Sequence, residues 1–245
     1  MPTPHILATS GGFVPGPVQM SFRLGDMVLE ALARTKKERP RVCLVLTALG
    51  DPANYYAMSY EAFNFAGCDV TELKLFPQPS ADPTDRLCGS DLVWVGGGSV
   101  ANLLALWRLH GVDNAMREAW EGGVILGGVS AGSLCWHVGG TTDSYGPTLQ
   151  PITNGLGLLP YANGVHYDAE EQRRPLLHQL LKEKVLPPLA YATDNGVGIW
   201  YEGIEATSVV ADSKLNALEG PAAYRVELVD GEIVETRVGA GESFI

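Results

Sequence analysis

The sequence predicts an α/β protein: a predominantly parallel sheet flanked by helices, with a β-hairpin-rich C-terminal part. Three observations predict it. Short apolar runs alternate with helix-length segments through the first 140 residues, the pattern of parallel strands joined by helical crossovers. Several runs are continuously apolar, as strands covered on both faces require. From Tyr191 onward the texture changes to short antiparallel strands separated by turn signals.

The elements follow in order. His5–Thr9 is a short apolar start, broken by Ser10-Gly11-Gly12. Residues 20–35 place Phe22, Leu24, Met27, Val28, Leu29 and Leu32 near helical spacing and predict a helix. Residues 41–46 (Arg-Val-Cys-Leu-Val-Leu), between Pro40 and Gly50, read as a buried parallel strand. A helix over 54–66 and a strand over 69–75 come next. Residues 91–95 form another buried strand, followed by Gly96-Gly97-Gly98 and a helix over 99–110. Helix continues over 113–121, and an apolar run over 124–129 leads into Ser130. Residues 139–164, rich in Gly, Pro, Thr and Asn, read as loop, and 170–184 as a helix with Leu176, Leu177, Leu180 and Leu181 on one side. Asp230-Gly231 between alternating arms over 224–238 signals a hairpin. With no repeat or linker, residues 1–245 are expected to form a single domain.

Composition narrows the function classes. A hydrophobic share of 46% supports a sizeable core and argues against disorder. A net charge of −11 argues against nucleic acid or an anionic membrane as the main partner. The four cysteines are scattered without metal-like pairing, so neither metal nor cofactor is expected. No signal peptide or membrane-length apolar run is legible, and a cytoplasmic location is the expectation. The β-rich C-terminal third could host a homodimer contact.

The chemistry centres on Gly128-Val129-Ser130-Ala131-Gly132. An apolar run enters the serine and a helix-compatible segment leaves it, the setting of a strained elbow that frees Oγ to attack. The serine needs a base. His137, placed on the same predicted helix, would lie about 10 Å away at the α-helical rise. His5, His110 and His178 read as structural or solvated. His166, in Gly164-Val165-His166-Tyr167-Asp168, follows the loop-rich stretch and precedes a helix, where open α/β proteins collect functional side chains. Its second nitrogen needs an orienter, for which Asp143, Asp168 and the pair Asp194-Asn195 are available. The Ala131 N–H, and an N–H from the Gly96–Gly98 turn, could stabilise an oxyanion. Gly96-x-Gly98-x-x-Ala101 also matches a degenerate dinucleotide fingerprint, but no acidic residue ends a following strand.

These pieces together resemble the peptidase E and cyanophycinase family of serine peptidases, which has a class I glutamine-amidotransferase-like fold. Trp94-Val95-Gly96-Gly97-Gly98-Ser99, the Ser130-Ala131-Gly132 elbow and His166 carry the resemblance, in the family's order. It implies Ser130 as nucleophile, His166 as base and the Gly98 and Ala131 amides as oxyanion hole. The implied reaction is hydrolysis of short peptides or aspartyl-linked polymers without metal or cofactor.

Two positions depart from the family. The acidic triad member should precede Gly196, where this chain has Asn195, with Asp194 one residue earlier and Asp143 in reserve. Glu170 stands where a substrate-binding Arg would be, and it would repel an acidic side chain. Arg173 or Arg174 could substitute, but strict Asp-X dipeptidase specificity is not expected. The reading is therefore a serine peptidase acting on short peptides. The alternatives are an esterase or amidase with the same machinery, or a nucleotide- or small-ligand-binding module on this fold.

Overall fold

The computed structural model describes residues 2–19, 21–212 and 220–244. Its larger sheet is built from β1 (His5–Thr9), then β4 (Arg41–Val45), β5 (Asp69–Glu72), β6 (Leu92–Val95) and β7 (Ile125–Val129), closed by β12 (Val197–Glu202) and β13 (Glu205–Ala211). The spatial order is β13-β12-β1-β7-β6-β4-β5. From β1 to β5 the pairings are parallel; β12 and β13 add antiparallel strands beyond β1. Side chains alternate strictly along these strands. Ile6, Val45, Val95 and Leu126 face one hydrophobic cluster, while Leu7, Leu44, Trp94 and Ile125 face another.

A second sheet holds β8 (His137–Thr142), β9 (Gln150–Ile152), β10 (Leu159–Val165), β11 (Leu189–Thr193), β14 (Ala223–Val229) and β15 (Glu232–Val238), in the order β15-β14-β11-β10-β8-β9. Here β8, β10 and β11 run parallel. One cluster packs Ile6 and Val95 of the first sheet together with Leu159 and Tyr191 of the second. A small hairpin, β2 (Phe13–Pro15) with β3 (Phe22–Leu24), stands apart from both sheets.

The helices cover the faces. They are α1 (Asp26–Arg34), α2 (Ala53–Phe65), α3 (Pro83–Cys88), α4 (Val100–His110), α5 (Val112–Glu121), the single turn α6 (Ala131–Leu134) and α7 (Arg173–Lys182). Met27, Val28, Tyr56 and Phe63 from α1 and α2 pack on one side of the large sheet, and Leu103, Trp107 and Met116 from α4 and α5 on the other. Leu177 and Leu181 of α7 cover the second sheet against Ala190 and Val226. Among the described residues, no helix is long and apolar enough to cross a membrane.

The parallel α/β architecture and the Asp230-Gly231 hairpin are as the sequence predicts; both turn residues have positive φ, 51° and 86°. Four local expectations are corrected. The helix expected over 20–35 begins only at Asp26, because Phe22-Arg23-Leu24 alternates as a strand and Gly25 is extended (φ −74°, ψ 166°). Its first position, Met20, lies outside the described residues. The loop expected over 139–164 contains strands β8 to β10; the glycines that suggested loop let β8 lie tight against its neighbours, and a Cβ on Gly140 would collide with the Asn163 carbonyl. The helix expected over 170–184 shortens to Arg173–Lys182, and β11 pairs parallel with β10 rather than joining a wholly antiparallel region.

Candidate active site

The carboxyl ends of parallel strands from both sheets converge on one place. Strands β6, β7 and β1 deliver the Gly96–Gly98 turn, Ser130 and Ser10, while β10 and β11 deliver His166 and Asn195. Such strand ends are where open α/β sheets gather their ligands.

Ser130 has φ 57° and ψ −110°, a conformation unfavourable for a residue bearing a Cβ. Strain of this kind costs about 1–3 kcal/mol and persists only where the surroundings impose it. They do so here. The Ser130 N–H donates to the Thr9 carbonyl at 2.9 Å, and its carbonyl accepts from Ser133 and Leu134 at 2.9 and 2.8 Å. A Cβ on Gly132 would strike the Val95 carbonyl, so the turn leaving the serine passes β6 with no room to spare. Gly97 lies opposite: a Cβ built there would sit 3.2 Å from the Ser130 Cβ. The Ser130 hydroxyl has no hydrogen-bond partner among the described residues.

Gly98, at φ 125°, precedes Ser99, whose hydroxyl caps α4 by accepting the Asn102 N–H at 3.2 Å. Among the described residues, neither the Gly98 nor the Ala131 N–H donates to another group. Ala131 follows the serine directly, and Gly98 follows Gly97, which faces it.

His166 also has positive φ, 52°. Its Nδ1 lies 2.5 Å from the Asn195 side-chain oxygen. An amide oxygen only accepts, so Nδ1 carries the proton, and in the neutral ring Nε2 is the nitrogen with the free lone pair. Asn195 is fixed in turn by its own N–H, which donates to Asp168 Oδ1 at 2.8 Å. Asp168 therefore holds the Asn195 turn rather than orienting the His166 ring itself.

Asp194 points elsewhere. Its Oδ2 accepts the Ala222 N–H at 2.9 Å and the Tyr224 hydroxyl at 3.0 Å. The residue is 4% exposed, and burial raises its carboxyl above the usual range, partly offset by these two donors. Of the adjacent pair, the amide meets His166 and the acid ties β11 to β14.

The remaining candidates separate. Asp143 is exposed in the turn after β8, next to Ser144, whose hydroxyl accepts the Ala101 N–H at 3.4 Å. Glu170 pairs with Arg173 at 2.9 Å, and the Arg173 side chain is only 5% exposed. Arg174 stacks over the Tyr167 and Tyr224 rings at 4.5 and 4.7 Å and meets Glu235 at 3.5 Å. Both arginines are thus engaged by neighbours. His137 is not on the helix expected for it: it begins β8, fully buried, with Nδ1 3.0 Å from the Ser133 carbonyl and Nε2 3.4 Å from the Tyr201 hydroxyl. Burial pushes its pKa down to about 4. Among the described residues, no cluster of His, Cys, Asp and Glu could hold a metal ion.

One residue was passed over in the sequence. Ser10, 3% exposed, joins the two halves of the site. Its Oγ accepts the His166 N–H at 2.9 Å and lies 2.7 Å from Thr193 Oγ1; its N–H donates to Val197 at 2.8 Å and its carbonyl accepts from Gly196 at 3.0 Å. Ser130 hangs from Thr9, the preceding residue. The available signal was a small polar residue and two glycines directly after a buried parallel strand.

Comparison with known proteins identifies the family. Residues 6–209 match the model of peptidase family S51. The chain is 38% identical over 225 residues to YgaJ, an uncharacterized peptidase of Bacillus subtilis, covering 92% of each. It is 32% identical to peptidase E of Streptomyces coelicolor, over 76% of this chain and 69% of that one. The crystal structure of a peptidase from an acI-B1 Actinobacterium superposes with a TM-score of 0.71 over 99% of this chain and 96% of the other, at 14% identity, which speaks for the fold alone.

Proposed function

Because this chain belongs to peptidase family S51 and is a serine-type peptidase, we propose that it hydrolyses short peptides with Ser130 as nucleophile and His166 as base. The observation that carries this reading is that both residues hang by their backbone N–H groups from one dipeptide, Thr9-Ser10. A shift of either strand end would move both together.

In the proposed reaction Ser130 Oγ attacks the scissile carbonyl as His166 Nε2 takes its proton. The Ala131 and Gly98 N–H groups, free of other partners, stabilise the oxyanion. The C–N bond then breaks, the proton passes from Nε2 to the leaving amine, and water, activated by the same nitrogen, hydrolyses the acyl-enzyme. Asn195 keeps the proton on Nδ1 throughout, an orienting role that an amide fills in papain-like enzymes. With Glu170 paired to Arg173 and Arg174 held by aromatic rings, no free guanidinium in that segment supports strict preference for an acidic residue.

A fluorophosphonate, which reacts only with an activated serine, should label the wild type and leave Ser130→Ala unlabelled. Ser130→Ala should lower turnover of any peptide the wild type cleaves by about a thousandfold or more. Equal turnover by the two proteins would overturn the assignment.

A further inference from the structure

A pocket of about 300 Å³ opens beside Ser130, and its lining includes Gly97 and Val129. Both residues adjoin the site: Val129 precedes the serine, and Gly97 faces its Cβ. The far walls are aromatic and continuous. Trp94 meets Phe13 edge-on at 6.0 Å, Phe13 meets Phe22 at 5.5 Å, and Phe22 meets Tyr55 at 6.2 Å. The hairpin of β2 and β3, which belongs to neither large sheet, supplies two of these rings. The pocket is thus a built extension of the site rather than a gap between helices.

Its electrostatics are one-sided. Among the described residues, no Lys, Arg, His, Asp or Glu lines it. The nearest cation in sequence, Arg23, is held away from it by Glu61 at 3.2 Å and by stacking over Phe65 at 4.3 Å. A carboxylate or ammonium entering this space would lose water with no opposite charge and only the Tyr55 and Ser59 hydroxyls to replace it, whereas an apolar side chain gains free energy in proportion to the area it buries. The size suits one such side chain, since an apolar cavity of roughly 150 Å³ already holds a benzene ring.

Resting on the peptidase reading above, we propose that this pocket receives an aromatic or large aliphatic side chain of the substrate residue next to the scissile bond. Tyr55 forms its rim and is 41% exposed on α2, so a substitution there alters the pocket without disturbing the core.

The test uses the full chain and matched short peptides differing only at the residues flanking the cleaved bond: Phe, Leu, Asp or Lys. The expected result is kcat/KM at least tenfold higher for Phe or Leu than for Asp or Lys at one flanking position. Tyr55→Arg should cut that preference at least fivefold while Ser130 still takes up the fluorophosphonate label. Calorimetric binding of the Phe peptide to Ser130→Ala, weakened when Tyr55→Arg is added, reads the pocket without catalysis. Labelling and cleavage without an apolar preference, or a preference untouched by Tyr55→Arg, overturns the pocket and leaves the peptidase reading standing. No labelling and no cleavage of any peptide overturns the peptidase reading, while the calorimetry still decides whether the pocket takes the Phe side chain.

Discussion

The two halves of the site are held by different forces. Around Ser130 the larger sheet acts through sterics and backbone: a positive φ, a glycine pressed against the Val95 carbonyl, and main-chain bonds to Thr9 and Leu134. Around His166, at the ends of the smaller sheet, side chains act instead: Ser10 reaches across from the end of β1 to its N–H, Asn195 holds its ring, and Asp168 stands behind Asn195. Backbone packing cannot be adjusted without disturbing the fold. An exposed hydrogen-bond relay can change one partner at a time. The comparison therefore separates stability from activity, and substitutions in the two halves should fail in different ways.

The largest effect belongs to the elbow. Gly132→Ala puts a methyl group into the Val95 carbonyl, and relief requires moving β6 or α6. It should destabilise the fold by about 3 kcal/mol or more, since core overpacking against backbone lies at the severe end of single substitutions. Thermal denaturation with a fluorophosphonate label as second readout checks it. A Gly132→Ala protein with wild-type melting and labelling would break the claim that sterics hold this half.

This contrast also explains what could be read in the sequence. The elbow was legible because sterics are local: an apolar run, then Gly-x-Ser-x-Gly, leaves few conformations for Ser130. The Gly96–Gly98 turn was legible for the same reason. The relay was legible only in part: His166, Asp168 and the Asp194-Asn195 pair were candidates, but Ser10 was passed over and the choice of orienter stayed open, because these residues meet only through tertiary structure, up to 185 positions apart in the chain. Asp194 and Asn195 look equivalent in sequence; they alternate across the end of β11, so one faces the site and the other faces β14. Strands β8 to β10 were missed because Gly139, Gly140 and Pro160 have poor intrinsic strand preference, which pairing to neighbours overrides. The aromatic pocket was hidden because Phe22 and Leu24 fit a helical stripe as well as they fit a short strand.

The intermediate effect belongs to the relay. Asn195→Ala removes the acceptor that holds the proton on His166 Nδ1. It should lower kcat/KM by about tenfold to a hundredfold, since losing a catalytic hydrogen bond costs on the order of 1.4–2.7 kcal/mol. Its melting temperature should stay close to wild type because the residue is exposed. Asp194→Ala should do the reverse: it strips the partners from Ala222 and Tyr224 and should cost about 1–3 kcal/mol of stability, with a smaller loss of kcat/KM than Asn195→Ala. The opposite ranking in activity would move the orienting role to Asp194 and erase the distinction between the two neighbours.

The smallest effect at neutral pH should come from the seam between the halves. His137 leaves α6 and opens β8, and its ring touches Ser133 on one side and Tyr201 of β12 on the other. Its folded pKa, about 4, lies below the ordinary 6.5 because burial disfavours the charged ring. The unfolded chain therefore binds a proton first as pH falls. The stability linked to this residue is complete above pH 6.5 and is lost between 6.5 and about 4, amounting to on the order of 3 kcal/mol. His137→Phe sacrifices the two hydrogen bonds at every pH but cannot take up a proton. Urea denaturation at pH 7 and pH 4 should show the variant less stable at pH 7, with the gap narrowing by about 3 kcal/mol at pH 4. Turnover at pH 7 should be unchanged, because neither Ser130 nor His166 bonds to this ring. A constant gap across that range would mean that the ring titrates normally, and that the seam between the two sheets is wetter than its burial implies.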